Sequence, residues 1–205
     1  MVGQLRRQIM SGILVPGREL SARAVAQQLG VSFIPVREAL RILAAEGMVI
    51  IHSRRGASVP ALSRQEFREL IALRRRLEPM LCARACREAR AELLSSLEAR
   101  IPIAKSGPDG IVETLEARIQ WYAELLGPSL TNYELRVLVC LWRQIMRYLY
   151  PSYRRHDPSC DEGHAERFQR DIVRAFKEHD VDEVRAVTTR LLERHESVGI
   201  RALGD

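Results

Sequence analysis

The chain has 205 residues, of which 46% are hydrophobic and 28% are charged. This length allows one domain or two small ones, and the composition is typical of a globular protein rather than a disordered chain. No apolar run approaches the roughly 18 residues of a membrane helix, and the first ten residues lack the apolar core of a secretory signal. We therefore expect a cytoplasmic protein without a membrane partner and with free thiols at Cys82, Cys86, Cys140 and Cys160.

The positive charge is concentrated at the start of the chain. The formal net charge is +6, and nearly all of the 32 basic residues are arginines. Residues 1–62 contain eight arginines and three acidic residues, a net charge of +5, whereas residues 63–205 have a net charge of +1. A small basic module joined to a nearly neutral one suggests a polyanionic partner such as nucleic acid. An excess of five charges also arises by chance, so charge alone does not decide the question.

The first 60 residues have the pattern of three short helices followed by a β-hairpin. Ser21 and Ser32 stand where helix N-caps are favoured, and Pro35 falls in the first turn of the third helix. Apolar residues recur at helical spacing in three segments, 2–10, 22–29 and 32–46. In the third segment we expect the core residues to be Val36, Ala39, Leu40 and Leu43. Two short segments on either side of a turn, 48–51 and 57–59, predict the hairpin. This order of elements is typical of a winged helix-turn-helix.

The pattern becomes entirely helical after Pro60. Amphipathic spacing predicts six helices, at 63–87, 91–103, 111–126, 131–149, 161–179 and 181–200. The predicted fold class is therefore mainly α, with a winged helix-turn-helix domain at 1–62 and an all-α bundle of about six helices at 63–205.

Three stretches carry a resemblance to a known family: IMSGILVPGREL at 9–20, LGVSFIPVREAL at 29–40 and RRGASV at 54–59. They resemble the N-terminal domain of GntR-family transcription regulators, and the PVREAL string is typical of the FadR-like subfamily with an all-helical FCD-type domain. Arg74, Leu77 and Glu78 match the start of that domain. The resemblance implies a homodimeric repressor that binds a double-stranded DNA operator. It also implies that a small-molecule effector, bound in the helical domain, controls the repressor.

The candidate DNA-binding residues lie on the third helix and on the hairpin. Ser32 and Arg37 belong to the N-terminal turns of the expected recognition helix, where a guanidinium can bind guanine O6 and N7. In the family, the position of Arg23 contacts DNA from the preceding helix. We add Pro35 from the first turn, and expect Arg54, Arg55 and Gly56 to approach the minor groove or phosphate. As alternatives, Arg37 belongs to an ordinary solvated helix face, and Arg54 and Arg55 to a charged hairpin tip.

One pair departs from the family pattern. Phe33 and Ile34 stand where the family usually has a polar pair such as Arg-Thr. An apolar side chain cannot make the expected hydrogen bonds to bases, but it can pack on a thymine methyl group. We therefore expect Phe33 to contact DNA and the operator preference to differ from that of usual family sites.

The resemblance also implies a metal site in the helical domain, formed by one Asp and three His on facing helices. Matched by position, these four ligands correspond to Arg118, Tyr122, Gln169 and Leu191, so none of them is present. A guanidinium at Arg118 would repel a metal ion and can bind a carboxylate directly. The sequence therefore predicts no metal and no other cofactor.

The hypothesis that follows is a metal-free effector pocket lined by Arg74, Arg118, Tyr122, Asn132 and Gln169, with a small carboxylate as the expected effector. In the alternative interpretation the pocket is vestigial and Arg118 pairs with a nearby Glu.

The remaining histidines give weaker signals. His156, Cys160 and His164 recur at a spacing of four, but the proline and glycine between and beside them indicate a loop rather than a metal-binding helix face. His179 and His195 are expected at the surface near helix ends.

Two other classes of protein are possible interpretations of the sequence. No Gly-rich phosphate loop, nucleophile elbow or catalytic His/acid cluster supports an enzyme. A helical protein-interaction module with a merely structural winged helix is the remaining alternative. DNA binding that weakens steeply with salt separates a regulator from both.

Overall fold

The computed structural model describes residues 1–17, 19–52, 56–105, 107–155 and 162–204. The chain divides into two compact units, Met1–Ser63 and Arg64–Asp205, called here the winged unit and the helical unit.

The winged unit contains three helices and three strands within its described residues. They are α1 (Val2–Met10), β1 (Glu19–Leu20), α2 (Ala22–Leu29), α3 (Phe33–Ala45), β2 (Ile50–His52) and β3 (Gly56–Ser58). The strands form an antiparallel sheet with β3 in the centre, and both Leu20 and Ile51 pair with Ala57. The sequence predicted only the hairpin, because β1 has two residues and therefore no detectable alternation.

Capping residues fix the ends of α2, as the sequence predicted. The Ser21 hydroxyl accepts a hydrogen bond from the backbone N–H of Ala24, and Gly30 ends the helix with a left-handed φ of 65°. The prediction of a strand at 48–51 was partly wrong, since β2 begins at Ile50. Met48 and Val49 instead enter the core, whose fully buried members also include Leu5, Val36 and Leu43.

The helical unit consists of six α-helices and one short 3-10 turn within its described residues. The helices are α4 (Arg64–Glu88), α5 (Ala91–Ala99), α6 (Gly107–Leu126), α7 (Asn132–Arg154), α8 (Glu162–Lys177) and α9 (Val181–Ala202), and the turn spans Gly127–Ser129. The helices α4 and α9 pack most extensively against each other, and α7 also packs on both of them. None of the described helices combines the length and the hydropathy needed to cross a membrane.

Three helix ends differ from the prediction by more than two residues, each near a proline. Helix α5 stops at Ala99 rather than 103, because the residue before Pro102 is disfavoured in helical conformation. Helix α6 begins at Gly107 rather than 111, with Pro108 tolerated in its first turn. Helix α7 continues through Pro151 to Arg154, where the sequence predicted an end at 149.

The start of α7 is held by a capping box. The Thr131 hydroxyl accepts from the backbone N–H of Glu134, whose carboxylate accepts from the backbone N–H of Thr131. The same carboxylate is 2.6 Å from Nη2 of Arg84 on α4. The hydrogen bond from Arg84, followed by those from Thr131, lowers the pKa of Glu134 to about 2. The cap therefore also ties α7 to α4.

Candidate nucleic-acid interface and candidate effector cavity

Helix α3, which the sequence predicts to be the recognition helix, presents an apolar face to the core and another face to solvent. Its buried residues are Val36, Ala39, Leu40 and Leu43, which the sequence predicted as core. Ser32, Phe33, Pro35 and Arg37 are all exposed at its N-terminal end. Ser32 occupies the N-cap position, but its hydroxyl makes no capping hydrogen bond. The predicted N-terminal set therefore lies together on the solvent side of α3.

The exposed Phe33 ring lies close to two arginines. The guanidinium carbons of Arg23 on α2 and Arg37 on α3 are 6.0 and 5.9 Å from the ring centroid. Both distances are within cation–π range, so the ring holds two cations near one point of the surface. Arg37 also contacts its neighbour Glu38 at 3.5 Å, a weak exposed pair. This arrangement could not be predicted from the sequence, because it depends on how α2 packs against α3.

Gly56 has a structural role that the sequence did not indicate. Its φ is +88°, and an added Cβ would lie 2.7 Å from the backbone oxygen of Leu20 in β1. The glycine is therefore needed for the β1–β3 pairing, whether or not it also approaches DNA. The other two residues expected at the wing, Arg54 and Arg55, lie outside the described residues.

Replacing Gly56 with alanine is expected to destabilise the winged unit by about 2–4 kcal/mol, from backbone strain plus the clash with Leu20. Gly17→Ala is the matched control, since Gly17 has a φ of +82° but open space around the added Cβ. Urea unfolding of both variants checks the difference. Equal losses of stability for the two alanines would contradict the role of the clash.

A cavity of about 60 Å³ lies inside the helical unit. Five helices line it: α4 contributes Arg74 and Glu78, α6 Arg118 and Tyr122, α7 Trp142, α8 Gln169, and α9 His195. Most of the surface between these polar groups is apolar, with side chains such as Leu115, Ile119 and Met146. The structure therefore brings four of the five predicted pocket residues, Arg74, Arg118, Tyr122 and Gln169, to one place.

Asn132 is not part of this cavity. It is the first residue of α7, directly after the Thr131 cap, and its side chain is exposed. The expectation that it lines the pocket was wrong, because sequence distance from Tyr122 does not reveal where the capping box begins the next helix.

The first arginine in the cavity, Arg74, is already paired. Its Nε donates to Oε1 of Glu78, and its Nη2 donates to Oε2 of the same carboxylate at 3.1 Å. Trp142 Nε1 donates to the same carboxylate at 2.9 Å, and Nη1 of Arg74 is 3.1 Å from Nδ1 of His195. The charge of Arg74 is thus neutralised by Glu78 one helical turn away.

The second arginine, Arg118, differs from the first in having buried atoms without partners. It is 7% exposed, and its Nε and Nη2 have no hydrogen-bond partner. Gln169 is 1% exposed, and neither its amide oxygen nor its amide nitrogen has a partner. If a Glu paired with Arg118, as in the alternative interpretation, Nε and Nη2 of Arg118 would have a hydrogen-bond partner, and they do not. Buried polar groups are nearly always hydrogen-bonded, so such groups lining a cavity indicate a place for a ligand.

His195 belongs to the cavity, and the expectation that it lies at the surface was wrong. It is half-buried and one helical turn beyond Leu191, which also lines the cavity. Leu191 is the position matched to the family's third His. Because residues four apart share a helix face, that match also predicts His195 to point toward the cavity. His179 is exposed, as expected, and its Nδ1 lies 3.0 Å from the carbonyl of Cys86.

Burial keeps three titratable side chains of the cavity uncharged at neutral pH. Burial, with repulsion from Arg74 and Arg118, lowers the pKa of His195. Burial raises the pKa of Tyr122, and burial together with Glu78 raises the pKa of Cys82 to about 12. Because Arg74 and Glu78 cancel, the net charge of the described residues around the cavity is the single positive charge of Arg118.

The lowered pKa of His195 predicts a pH dependence of stability. The unfolded chain binds more protons than the folded one below the ordinary histidine pKa of about 6.5, so the stability contributed by neutral His195 is lost as pH falls. Relative to His195→Gln, the wild type should lose up to about 1.4 kcal/mol per pH unit below that value. Urea unfolding of both proteins from pH 7.5 to 5 checks this. Parallel pH profiles would show that His195 does not contribute.

The cavity does not fit the metal site of the family. Over the described ranges, no three His, Cys, Asp or Glu side chains are placed to hold a metal ion. The carboxylate of Glu78 is already bound by Arg74 and Trp142, and the remaining positive charge of Arg118 would oppose a divalent cation. His156 and Cys160 lie outside the described residues, and His164 is 2.6 Å from Nη2 of Arg167.

Comparison with known proteins assigns the chain to a family. A model described as bacterial regulatory proteins, gntR family, matches residues 1–59, and the FCD domain matches residues 69–194. The chain belongs to the GntR family of regulators that carry an FCD domain. The predicted resemblance and the mainly α fold class are confirmed.

Individual GntR-family proteins are similar to parts of the chain. YdhC of Bacillus subtilis strain 168, an uncharacterized HTH-type transcriptional regulator, is 30% identical over 66% of this chain and 62% of its own. The gluconate operon transcriptional repressor of Bacillus licheniformis is 34% identical over 50% of this chain and 42% of its own. The chain thus spans less than two thirds of the length of these relatives.

The fold of the GntR-family chain resembles that of a solved structure. Escherichia coli McbR/YncC has a TM-score of 0.81 at 21% identity, covering 99% of this chain and 96% of that one.

Proposed function

We propose that this GntR/FCD protein is a DNA-binding transcription regulator, acting in the cytoplasm as a homodimeric repressor rather than as an enzyme. Support comes from its family and from the exposed N-terminal end of α3, where Phe33 holds Arg23 and Arg37 at one surface. One recognition helix reads one half-site, so a symmetric operator requires two copies of the chain. Several similar proteins are named as repressors.

We also propose that a small carboxylate in the cavity controls DNA binding. The observation that carries this proposal is Arg118, a buried cation whose Nε and Nη2 have no partner. A carboxylate accepts two parallel hydrogen bonds from a guanidinium, which suits these two atoms. Arg74, Tyr122 and Gln169 complete the proposed contacts, and no metal or other cofactor is required. An effector acts on DNA binding only through different affinities for the two states of the protein.

Selection from a random duplex library, followed by fluorescence anisotropy, tests DNA binding. The affinity for the selected sequence should fall steeply between about 50 and 200 mM salt, with a log–log slope near −0.9 for each phosphate neutralised. A scrambled duplex of the same composition is the control, and sedimentation of the complex should show two chains per operator. A failure to enrich any sequence would overturn the regulator function and favour a protein-interaction module.

A further inference from the structure

We infer that the cavity ligand is a small monocarboxylic acid that carries one further hydrogen-bonding group on an otherwise apolar body. Its carboxylate binds Arg118, and its second polar group binds Gln169. This inference rests on the proposed function and makes the effector class specific.

The charge inside the cavity limits the ligand to one negative charge. Arg74 and Glu78 neutralise each other, and the Glu78 carboxylate also accepts from Trp142. His195, Tyr122 and Cys82 are uncharged at neutral pH, so Arg118 supplies the only net charge among those lining residues that the structure describes. A second carboxylate, or a dianionic phosphate, would therefore enter an apolar space without a cation to pair with.

The unpartnered amide of Gln169 requires a ligand group that both accepts and donates. Its Nε2 is a donor and its Oε1 is an acceptor, and both atoms are buried without a partner. A single hydroxyl or amide on the ligand can serve both atoms. An acid without such a group would leave the amide unsatisfied and would bind more weakly.

The walls of the cavity exclude a ligand with many polar groups. Apolar side chains from four helices, including Leu115, Leu126, Met146, Ile172 and Val187, surround the two unpartnered polar side chains. Every further hydroxyl on the ligand would lose its hydrogen bonds to water, and the few other polar side chains of the lining, such as Tyr122 and Thr188, could replace only a small number of them. Sugar acids are therefore disfavoured, although they are carboxylates of the right charge.

Four-carbon acids are small probes for a cavity of about 60 Å³, in which a water molecule needs roughly 10–15 Å³. A matched set of four-carbon compounds then separates the requirements one at a time. Butyrate has the charge alone, 3-hydroxybutyrate adds a hydroxyl, succinate adds a second charge, and butyramide removes the charge.

Isothermal titration of the full chain with these four compounds tests the inference, with gluconate added as a polyhydroxy acid. We expect 3-hydroxybutyrate to bind about tenfold more tightly than butyrate, the effect of one satisfied hydrogen bond. Succinate, butyramide and gluconate should each bind at least about tenfold more weakly than butyrate.

Titration of two variants tests which residue causes each ligand preference. Gln169→Leu should make butyrate and 3-hydroxybutyrate bind equally, and Arg118→Gln should abolish binding of both. Arg185→Gln is the control, because Arg185 is an exposed residue of α9 that pairs with Asp182. Circular dichroism confirms that each variant is folded before titration.

The outcomes distinguish this inference from the proposed function. Binding of succinate, butyramide or gluconate as tight as that of butyrate would overturn the inference but leave a ligand-controlled regulator in place. Equal binding of butyrate and 3-hydroxybutyrate to the wild type would also overturn the inference, because the second polar group of the ligand would then gain nothing at Gln169. If none of the compounds binds, the inference and the proposed carboxylate effector are both overturned, while the DNA-binding proposal is judged by its own experiment.

Discussion

Arg118→Met should raise the free energy of unfolding of the ligand-free protein by about 1–4 kcal/mol. Two guanidinium nitrogens of Arg118 are buried without hydrogen-bond partners. The desolvation penalty of a buried charge is several kcal/mol, and without a partner nothing in the cavity offsets it. Methionine fills a similar volume with an apolar and adaptable side chain. The wild type thus gives up stability at a position where we propose that a ligand binds.

The matched control is Arg74→Met, for which the opposite sign is expected. Arg74 lines the same cavity and is also buried, but its guanidinium donates to both oxygens of Glu78. Removing one partner of a buried pair leaves an uncompensated charge and costs about 3–5 kcal/mol. The same substitution at two arginines of one cavity should therefore shift stability in opposite directions.

Urea unfolding of the three proteins at pH 7.5, with and without butyrate, measures both effects. Arg118→Met should have the higher midpoint without ligand and should show no increase when butyrate is added. A ligand that binds only the native state must raise stability, by about 2.7 kcal/mol at a hundredfold excess over its dissociation constant, so the wild type should respond. A destabilised Arg118→Met protein would mean that the native arginine contributes to the fold rather than to a ligand site.

The sequence predicted the order of the helices well because apolar spacing reports directly on which face is buried. The predicted core positions Val36, Ala39, Leu40 and Leu43 are all buried. The ends of helices were less predictable, as Pro108 and Pro151 illustrate. A proline is compatible with a first turn and, at the loss of one hydrogen bond, with a later one. Whether a helix begins at, ends before or continues through a proline depends on tertiary packing, which the local sequence does not reveal.

The cavity was predicted in part. Alignment to the family placed Arg118, Tyr122 and Gln169, since positions on regular helices keep their direction when their chemistry changes. It misplaced Asn132, which follows an irregular connection between α6 and α7. It also could not show that Arg74 is paired and that two nitrogens of Arg118 are not, because partners such as Glu78 and Trp142 come from different helices.

Phe33→Arg should change which base the regulator prefers at one position of each half-site. Phe33 lies at the exposed N-terminal end of α3, with Arg23 and Arg37 within about 6 Å of its ring. An aromatic ring offers apolar contact to a thymine methyl group, whereas a guanidinium can donate to guanine O6 and N7. The preference should therefore shift from thymine to guanine by about 1–3 kcal/mol.

The substitution has a second consequence, because it removes the ring that holds the two neighbouring arginines. Three guanidinium groups would then repel one another while each gains attraction to phosphate, so nonspecific binding should rise and depend more steeply on salt. Phe33→Leu separates the two effects, since leucine keeps an apolar contact to thymine but offers no π face. We expect Phe33→Leu to retain the thymine preference at reduced affinity.

Anisotropy with four operators that differ only at the chosen base pair measures the preference, and repetition at three salt concentrations measures the nonspecific part. Discrimination that remains unchanged in Phe33→Arg would place the Phe33 ring outside the DNA contact and limit its role to positioning Arg23 and Arg37. Because each base contact contributes locally whereas phosphate contacts act on all sequences alike, a real change of base preference must persist at high salt. A change that vanishes at high salt would come from charge alone, and the apolar pair Phe33-Ile34 would then not determine the operator.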